Sequence, residues 1–249
     1  METLLSIILA NTVVSLIALV GGGLLISQKL LTQKALTYLV SFAAGVMLTT
    51  SFIDLLPEAA EGMQDIGPLF VATFLGIITF FFLERFVLWF HHHHGTHGSS
   101  PSSVLILLGD GAHNLIDGVA IAGAFLTSPA LGIATTIAVI AHEVPHEIAD
   151  FSVLINSGMK KFQALFYNFL SGTTAVLGGI LGFYFLENLK GLIPLSLAFT
   201  AGMFIYIACS DLIPELHTDF SKSRSWVQTI PFILGIVILW TFITLLEGS

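Results

Sequence analysis

Two short stretches carry side chains suited to holding a metal ion. The first reads Gly109-Asp110-Gly111-Ala112-His113-Asn114-Leu115-Ile116-Asp117-Gly118, and the second His142-Glu143-Val144-Pro145-His146-Glu147-Ile148-Ala149-Asp150. On a helix, residues three or four apart share a face. That rule aligns His113 with Asp117, with Asn114 one step round. It also aligns His142, His146 and Asp150, and separately Glu143 with Glu147. Imidazoles mixed with carboxylates suit Zn²⁺, Fe²⁺ or Mn²⁺ better than Ca²⁺ or Mg²⁺, which prefer oxygen alone. No Lys or Arg occurs between Arg85 and Lys160, so a cation or protons must neutralise the acids. Pro145 removes one helix hydrogen bond and crowds the carbonyl of Ala141, freeing backbone oxygen near the cluster.

Long apolar runs position these residues. The 249-residue chain is 55% hydrophobic and 10% charged, with mean hydropathy +0.93. A soluble domain carries about 25% charged residues, so the class is an integral membrane protein. Ionisable groups at bilayer depth are costly and mark function. Net charge is −8, much of it inside the apolar segments, and no basic patch with interleaved aromatics suggests nucleic acid. Cys209 is the single cysteine, which excludes an intrachain disulfide framework. The first apolar run lacks a basic leader and reads as a span, not a cleaved signal.

Spans need about 20 apolar residues. The expectation is a single all-α transmembrane domain over 1–249 with eight spans: 3–26, 35–56, 67–90, 103–126, 129–156, 162–186, 192–213 and 228–246. Placing the N-terminus outside puts Lys29, Lys34, Arg85, Lys160, Lys161, Lys222 and Arg224 in inner loops and only Lys190 outside. Both termini are then external. Residues 42–59 and 199–216 repeat at an offset of 157: Phe42, Ala44, Gly45, Asp54, Leu55, Pro57 and Glu58 match Phe199, Ala201, Gly202, Asp211, Leu212, Pro214 and Glu215. Five spans lie between the copies, so they run in opposite directions, as in secondary transporters that bind substrate at mid-membrane. Asp54 then lies toward the outside, and Asp110, Asp150 and Asp211 toward the cytoplasm, sketching a path through the cluster. The segment 91–102 is a cytoplasmic loop whose His91, His92, His93, His94 and His97 suggest weak metal binding.

H-N-x-x-D-G at 113–118 with H-E-x-P-H-E-x-x-D at 142–150 resembles the ZIP family of divalent-metal transporters, most of all its histidine-rich subfamily. The resemblance extends over the whole chain and implies a 3+2+3 arrangement, helices 1–3 inverted against 6–8 around helices 4 and 5. It further implies that His113, Asp117, His142 and His146 hold one metal, and that Asn114, Asp117, Glu143 and His146 hold a second beside it. Met47 is implied to line the first site, Asp54 to stand at the outer entrance, and Glu147 to be a flanking or exit ligand. Ala149 departs from the family's usual glycine. The implied function is transport of zinc, or of iron, manganese or cadmium, into the cytoplasm across a cell or inner membrane, without enzymatic chemistry. A homodimer in the lipid bilayer is a further expectation. The alternative is an intramembrane zinc metalloprotease, because His142-Glu143-Val144-Pro145-His146 fits H-E-x-x-H. Pro145 and the surplus of ligands argue against it. A metal sensor without a path is the third reading.

Overall fold

A computed structural model describes residues 1–26, 32–61, 63–92, 101–218 and 226–247. Every regular element among them is helical. In order they are α1 (Glu2–Ile26), α2 (Gln33–Thr49), a π-helical turn (Thr50–Leu55), α3 (Leu56–Ala60), α4 (Gly67–His92), α5 (Pro101–Thr127), α6 (Pro129–Asn156), α7 (Lys161–Gly172), α8 (Thr174–Asn188), a 3-10 turn (Lys190–Leu192), α9 (Ile193–Ile207), a second π-helical turn (Ala208–Leu212), α10 (Ile213–Thr218) and α11 (Trp226–Glu247). Among the described residues, five segments are long and apolar enough to cross a membrane: Ala35–Ala60, Gly67–Arg85, Lys161–Asn188, Lys190–Leu212 and Gln228–Leu246. This is an integral, multi-pass membrane protein. α5 and α6, which carry the acids of the cluster, are not among the five.

Local chemistry sets the joints. Ser128 accepts a hydrogen bond from the amide of Leu131 at 3.1 Å and Pro129 opens α6, so α5 and α6 form a tight antiparallel hairpin. α6 ends at Ser157 and Gly158, whose φ of 93° requires a residue without a Cβ. Pro145 stays within a continuous α6. The sixth expected span is divided at Thr173. The Thr173 hydroxyl donates to Leu170 O at 2.6 Å, and that of Thr174 donates to Ser171 O at 2.7 Å and Gly111 O at 2.6 Å. These bonds compete with the helical ladder.

Packing is closest where glycines meet backbone. A Cβ on Gly45 of α2 would lie 2.2 Å from Phe232 O of α11, and one on Gly202 of α9 would lie 2.0 Å from Thr73 O of α4. Reciprocally, Gly235 of α11 abuts Phe42 O and Gly76 of α4 abuts Phe199 O. Gly45 and Gly202, and Phe42 and Phe199, are pairs at the offset of 157. α5 and α8 likewise meet through Gly118 against Ala175 O and Gly178 against Leu115 O. Such contacts replace the missing hydrophobic drive between helices in lipid. The buried core runs through α2, α5, α6 and α9, including Met47, Ile121, Ala138 and Phe204.

Candidate metal centre

α5 supplies Asp110, His113, Asn114 and Asp117, and α6 supplies His142, Glu143, His146, Glu147 and Asp150. Four ligand atoms converge. His113 Nε2 lies 3.2 Å from His142 Nε2, 3.3 Å from Glu143 Oε1 and 3.6 Å from Asp117 Oδ2. His142 Nε2 lies 3.2 Å from Asp117 Oδ2 and 3.5 Å from Glu143 Oε1. A tetrahedral zinc ion with bonds of about 2.0–2.1 Å separates its ligands by about 3.3–3.4 Å. The observed edges bracket that value. Asp117 is fully buried, Glu143 and His142 nearly so, and Asp117 Oδ2 and Glu143 Oε1 receive no hydrogen bond. Such acceptors are free to bind a cation.

The rings are held from outside the cluster. His142 Nδ1 lies 3.1 Å from Ala138 O, which places its proton there and leaves Nε2 as the donor to metal. Phe204 meets the His142 ring edge-on at 5.8 Å, and Phe80 meets His113 at 5.2 Å. Glu143 lies among the four converging atoms and 3.8 Å from His146 Nδ1, whereas a proteolytic base would need to face a water.

The sequence-predicted residues separate into groups. Glu143 completes the four with His113, Asp117 and His142, while His146 groups with Asp110 and Asp150. Asp110, Glu143 and Glu147 make a third group. Asn114 is buried and donates through Nδ2 to Asp110 Oδ1 at 2.9 Å and to Asp110 O at 3.2 Å. A cavity of about 380 Å³ leads away from the cluster; its lining includes His113, His142, His146, Asp110, Asp150 and Asp211. Asp54 is buried on the first π-helical turn and Met47 is fully buried in the core; neither lines this cavity. His91 and His92 close α4 as backbone; their side chains, with His93, His94 and His97, lie outside the described residues.

Two residues of α7 join the site that spacing alone treats as packing. Asn168 Nδ2 donates to Glu147 Oε2, and the Ser171 hydroxyl donates to Asp110 Oδ2. Their i, i+3 spacing, facing a helix rich in acids, was the available signal. Glu84 lines the cavity wall and accepts a hydrogen bond from the Tyr206 hydroxyl.

A bundle of apolar helices enclosing a buried His/Asp/Glu cluster whose atoms could hold a metal ion defines a multi-pass membrane protein. The chain matches the family model "ZIP Zinc transporter" over residues 2–105 and 92–242. It belongs to that family. It is 35% identical to "Zinc transporter ZIP13" of Pongo abelii over 225 residues, 83% of this chain and 66% of that protein. It is 31% identical to "Zinc transporter YKE4" of Saccharomyces cerevisiae over 234 residues, 80% of this chain and 68% of that protein. With "Zinc transporter foi" of Drosophila melanogaster it shares 38% over 145 residues, 58% of this chain but 20% of the fly protein. The chain thus spans a fifth of that relative and about two thirds of the other two.

Proposed function

We propose that this protein moves divalent transition-metal ions, zinc foremost, across a membrane into the cytoplasm. The four-atom cluster with zinc-like edges, at the end of a cavity lined by further acids, carries the reading. Iron, manganese and cadmium are accepted by the same ligand types. His113, Asp117, His142 and Glu143 hold the ion. His146, Asp110 and Asp150 take it next, and Asp211 stands at the cavity mouth. Asp54 serves the opposite entrance, and Asn114 and Glu147 support the carboxylates.

The arrangement is eight crossings in a 3+2+3 plan, with both termini outside and the His-rich segment 91–102, which includes the end of α4 and the start of α5, in the cytoplasm. α1, α5 and α6 add to the five apolar segments. Reciprocal glycine contacts at matched positions support the inverted repeat, and the distribution of bases supports the orientation. The cavity then opens inward, so this is the releasing conformation. The H-E-x-P-H-E sequence supports the histidine-rich subfamily.

The test is uptake of radioactive zinc into sealed proteoliposomes by the native chain and by His146→Ala and Glu143→Ala. Flux should vanish in both variants while insertion persists. Tight zinc binding by the native chain without flux would leave a sensor, not a transporter. Proton competition supplies an independent check. Metal binds imidazole and carboxylate that have given up their protons, so zinc and protons compete at the cluster. Apparent affinity should fall as the pH is lowered, read by competition with a chromophoric chelator.

A further inference from the structure

The two histidines of the four-atom cluster are held unequally. A metal-binding imidazole ordinarily donates its other ring N–H to a fixed acceptor, which sets the ring's orientation. His142 has that anchor in Ala138 O, 3.1 Å from Nδ1, and its side chain is 1% exposed. His113 differs. Among the described residues no hydrogen bond reaches its Nδ1, and its side chain is 12% exposed and lines the cavity. Its Nε2 nonetheless stands 3.2–3.6 Å from the other three ligand atoms.

A ring stands where the hydrogen bond does not. Phe80 meets the His113 ring at 5.2 Å, with the planes at 75°. Phe80 is 3% exposed and packed into the buried core, so its own ring is fixed. His146 also touches His113, at 4.9 Å and a tilt of 41°, but its side chain is 38% exposed and free to yield. Glycine explains the reach of Phe80. A Cβ on Gly76 of α4 would lie 2.1 Å from Phe199 O of α9, and one on Gly202 of α9 would lie 2.0 Å from Thr73 O of α4. Phe80 follows Gly76 by one turn, and Phe204 follows Gly202 by half a turn. One close crossing thus sets both rings, Phe80 against His113 and Phe204 against His142. Neither α4 nor α9 supplies any of the four ligand atoms.

We propose that Phe80 is the positioning residue of His113: its ring takes the place of the hydrogen bond that anchors His142, and the fourth ligand is in place only while α4 lies against α5. This role rests on the proposed holding of metal by the four residues. It ties the strength of the site to the bundle. A parting of α4 from α5 frees the His113 ring toward the cavity and leaves the ion three ligands, so the movement that opens a path also loosens the ion.

The probe is Co²⁺ bound to the purified full chain in detergent, because its visible absorption is strong in a four-coordinate site and weak once water expands the shell. Zinc affinity is read beside it by chelator competition. Phe80→Ala should weaken zinc binding by about 10–100-fold and fade the cobalt band. Phe80→Tyr keeps the ring, with its hydroxyl able to reach the cavity that Phe80 lines, and should restore both. Leu69→Ala, at a similarly buried position three turns earlier on α4, should lower the unfolding temperature and leave both readouts native. Added to His113→Ala, Phe80→Ala should change zinc affinity no further. If Phe80→Ala fails to fold, Phe80→Leu, which keeps apolar bulk without the ring, takes its place and should move both readouts the same way. Native affinity and a native cobalt band in the ring-less variant overturn the proposal and leave Phe80 as packing. So does an equal loss of affinity with and without His113, since Phe80 then acts through the fold. Zinc binding that depends on Phe80 in a chain without flux supports the positioning role and strikes the proposed function instead.

Discussion

The two π-helical turns share their geometry and little else. Thr50–Leu55 and Ala208–Leu212 interrupt α2 and α9 at positions 157 apart, and each runs into a Leu-Pro or Ile-Pro step. A π turn strips carbonyls of their α-helical donors. In the first turn Thr50, Ser51, Asp54 and Leu55 are buried, and the hydroxyls of Thr49, Thr50 and Ser51 return to the carbonyls of Gly45, Val46 and Met47. In the second, Ser210 and Asp211 are exposed, and Asp211 lines the cavity. Hydroxyls return to carbonyls in both turns, Ser210 to Tyr206 O at 2.7 Å in the second, so the hydroxyls do not separate them. Burial does: the comparison teaches that matched elements can differ in exposure alone, closed around Asp54 and open to the cavity at Asp211.

The largest expected effect tests that contrast directly. In a Cys209→Ser background, Asp211→Cys should react to completion with a water-soluble maleimide, and Asp54→Cys should stay almost unmodified, as read by intact-mass spectrometry. Equal labelling would break the comparison. The next tests the paired asparagines Asn11 and Asn168, again 157 apart. Asn11 donates to Ile7 O at 2.8 Å within its own helix, whereas Asn168 donates to Glu147. Asn168→Ala should weaken metal binding by about 10–100-fold by calorimetry, and Asn11→Ala should leave it unchanged. The smallest concerns the glycine contacts. Gly45→Ala and Gly202→Ala should each destabilise the fold by about 1–3 kcal/mol, to a similar degree, in thermal unfolding in detergent. A large difference between them would mean the two halves are not packed alike.

The metal vocabulary was legible because helix spacing places His113 with Asp117 and His142 with His146 whatever the tertiary fold. Which ligand completes which group was not legible. Glu143 and His146 are one turn apart on α6, and the approach of α5 decides between them. Asn168 and Ser171 were hidden because a lone Asn or Ser in an apolar helix reads as packing until its neighbour is known. Asp54 and Asp211 were found as a repeat, but the π turns that carry them were not, because a segment apolar on all sides has no stripe whose phase a π turn could visibly shift. The repeat also extends further than residues 42–59 disclose. Asn11, Ala18, Gly21, Gly22 and Leu24 match Asn168, Ala175, Gly178, Gly179 and Leu181 at the same offset, too sparsely to stand out in a sequence this rich in Gly, Ala and Leu.

The Ser15 hydroxyl donates to Gly172 O at 2.8 Å, and these residues too are 157 apart. Between two copies related by a two-fold axis, a position touches its own counterpart only where it lies at the axis. His113 and His142, on the neighbouring helices α5 and α6, meet at 3.2 Å. In the proposed inverted arrangement an ion held there would sit on the seam between the two halves. Exchanging the conformations of those halves would turn the opening from one face to the other without asking the ion to change its company.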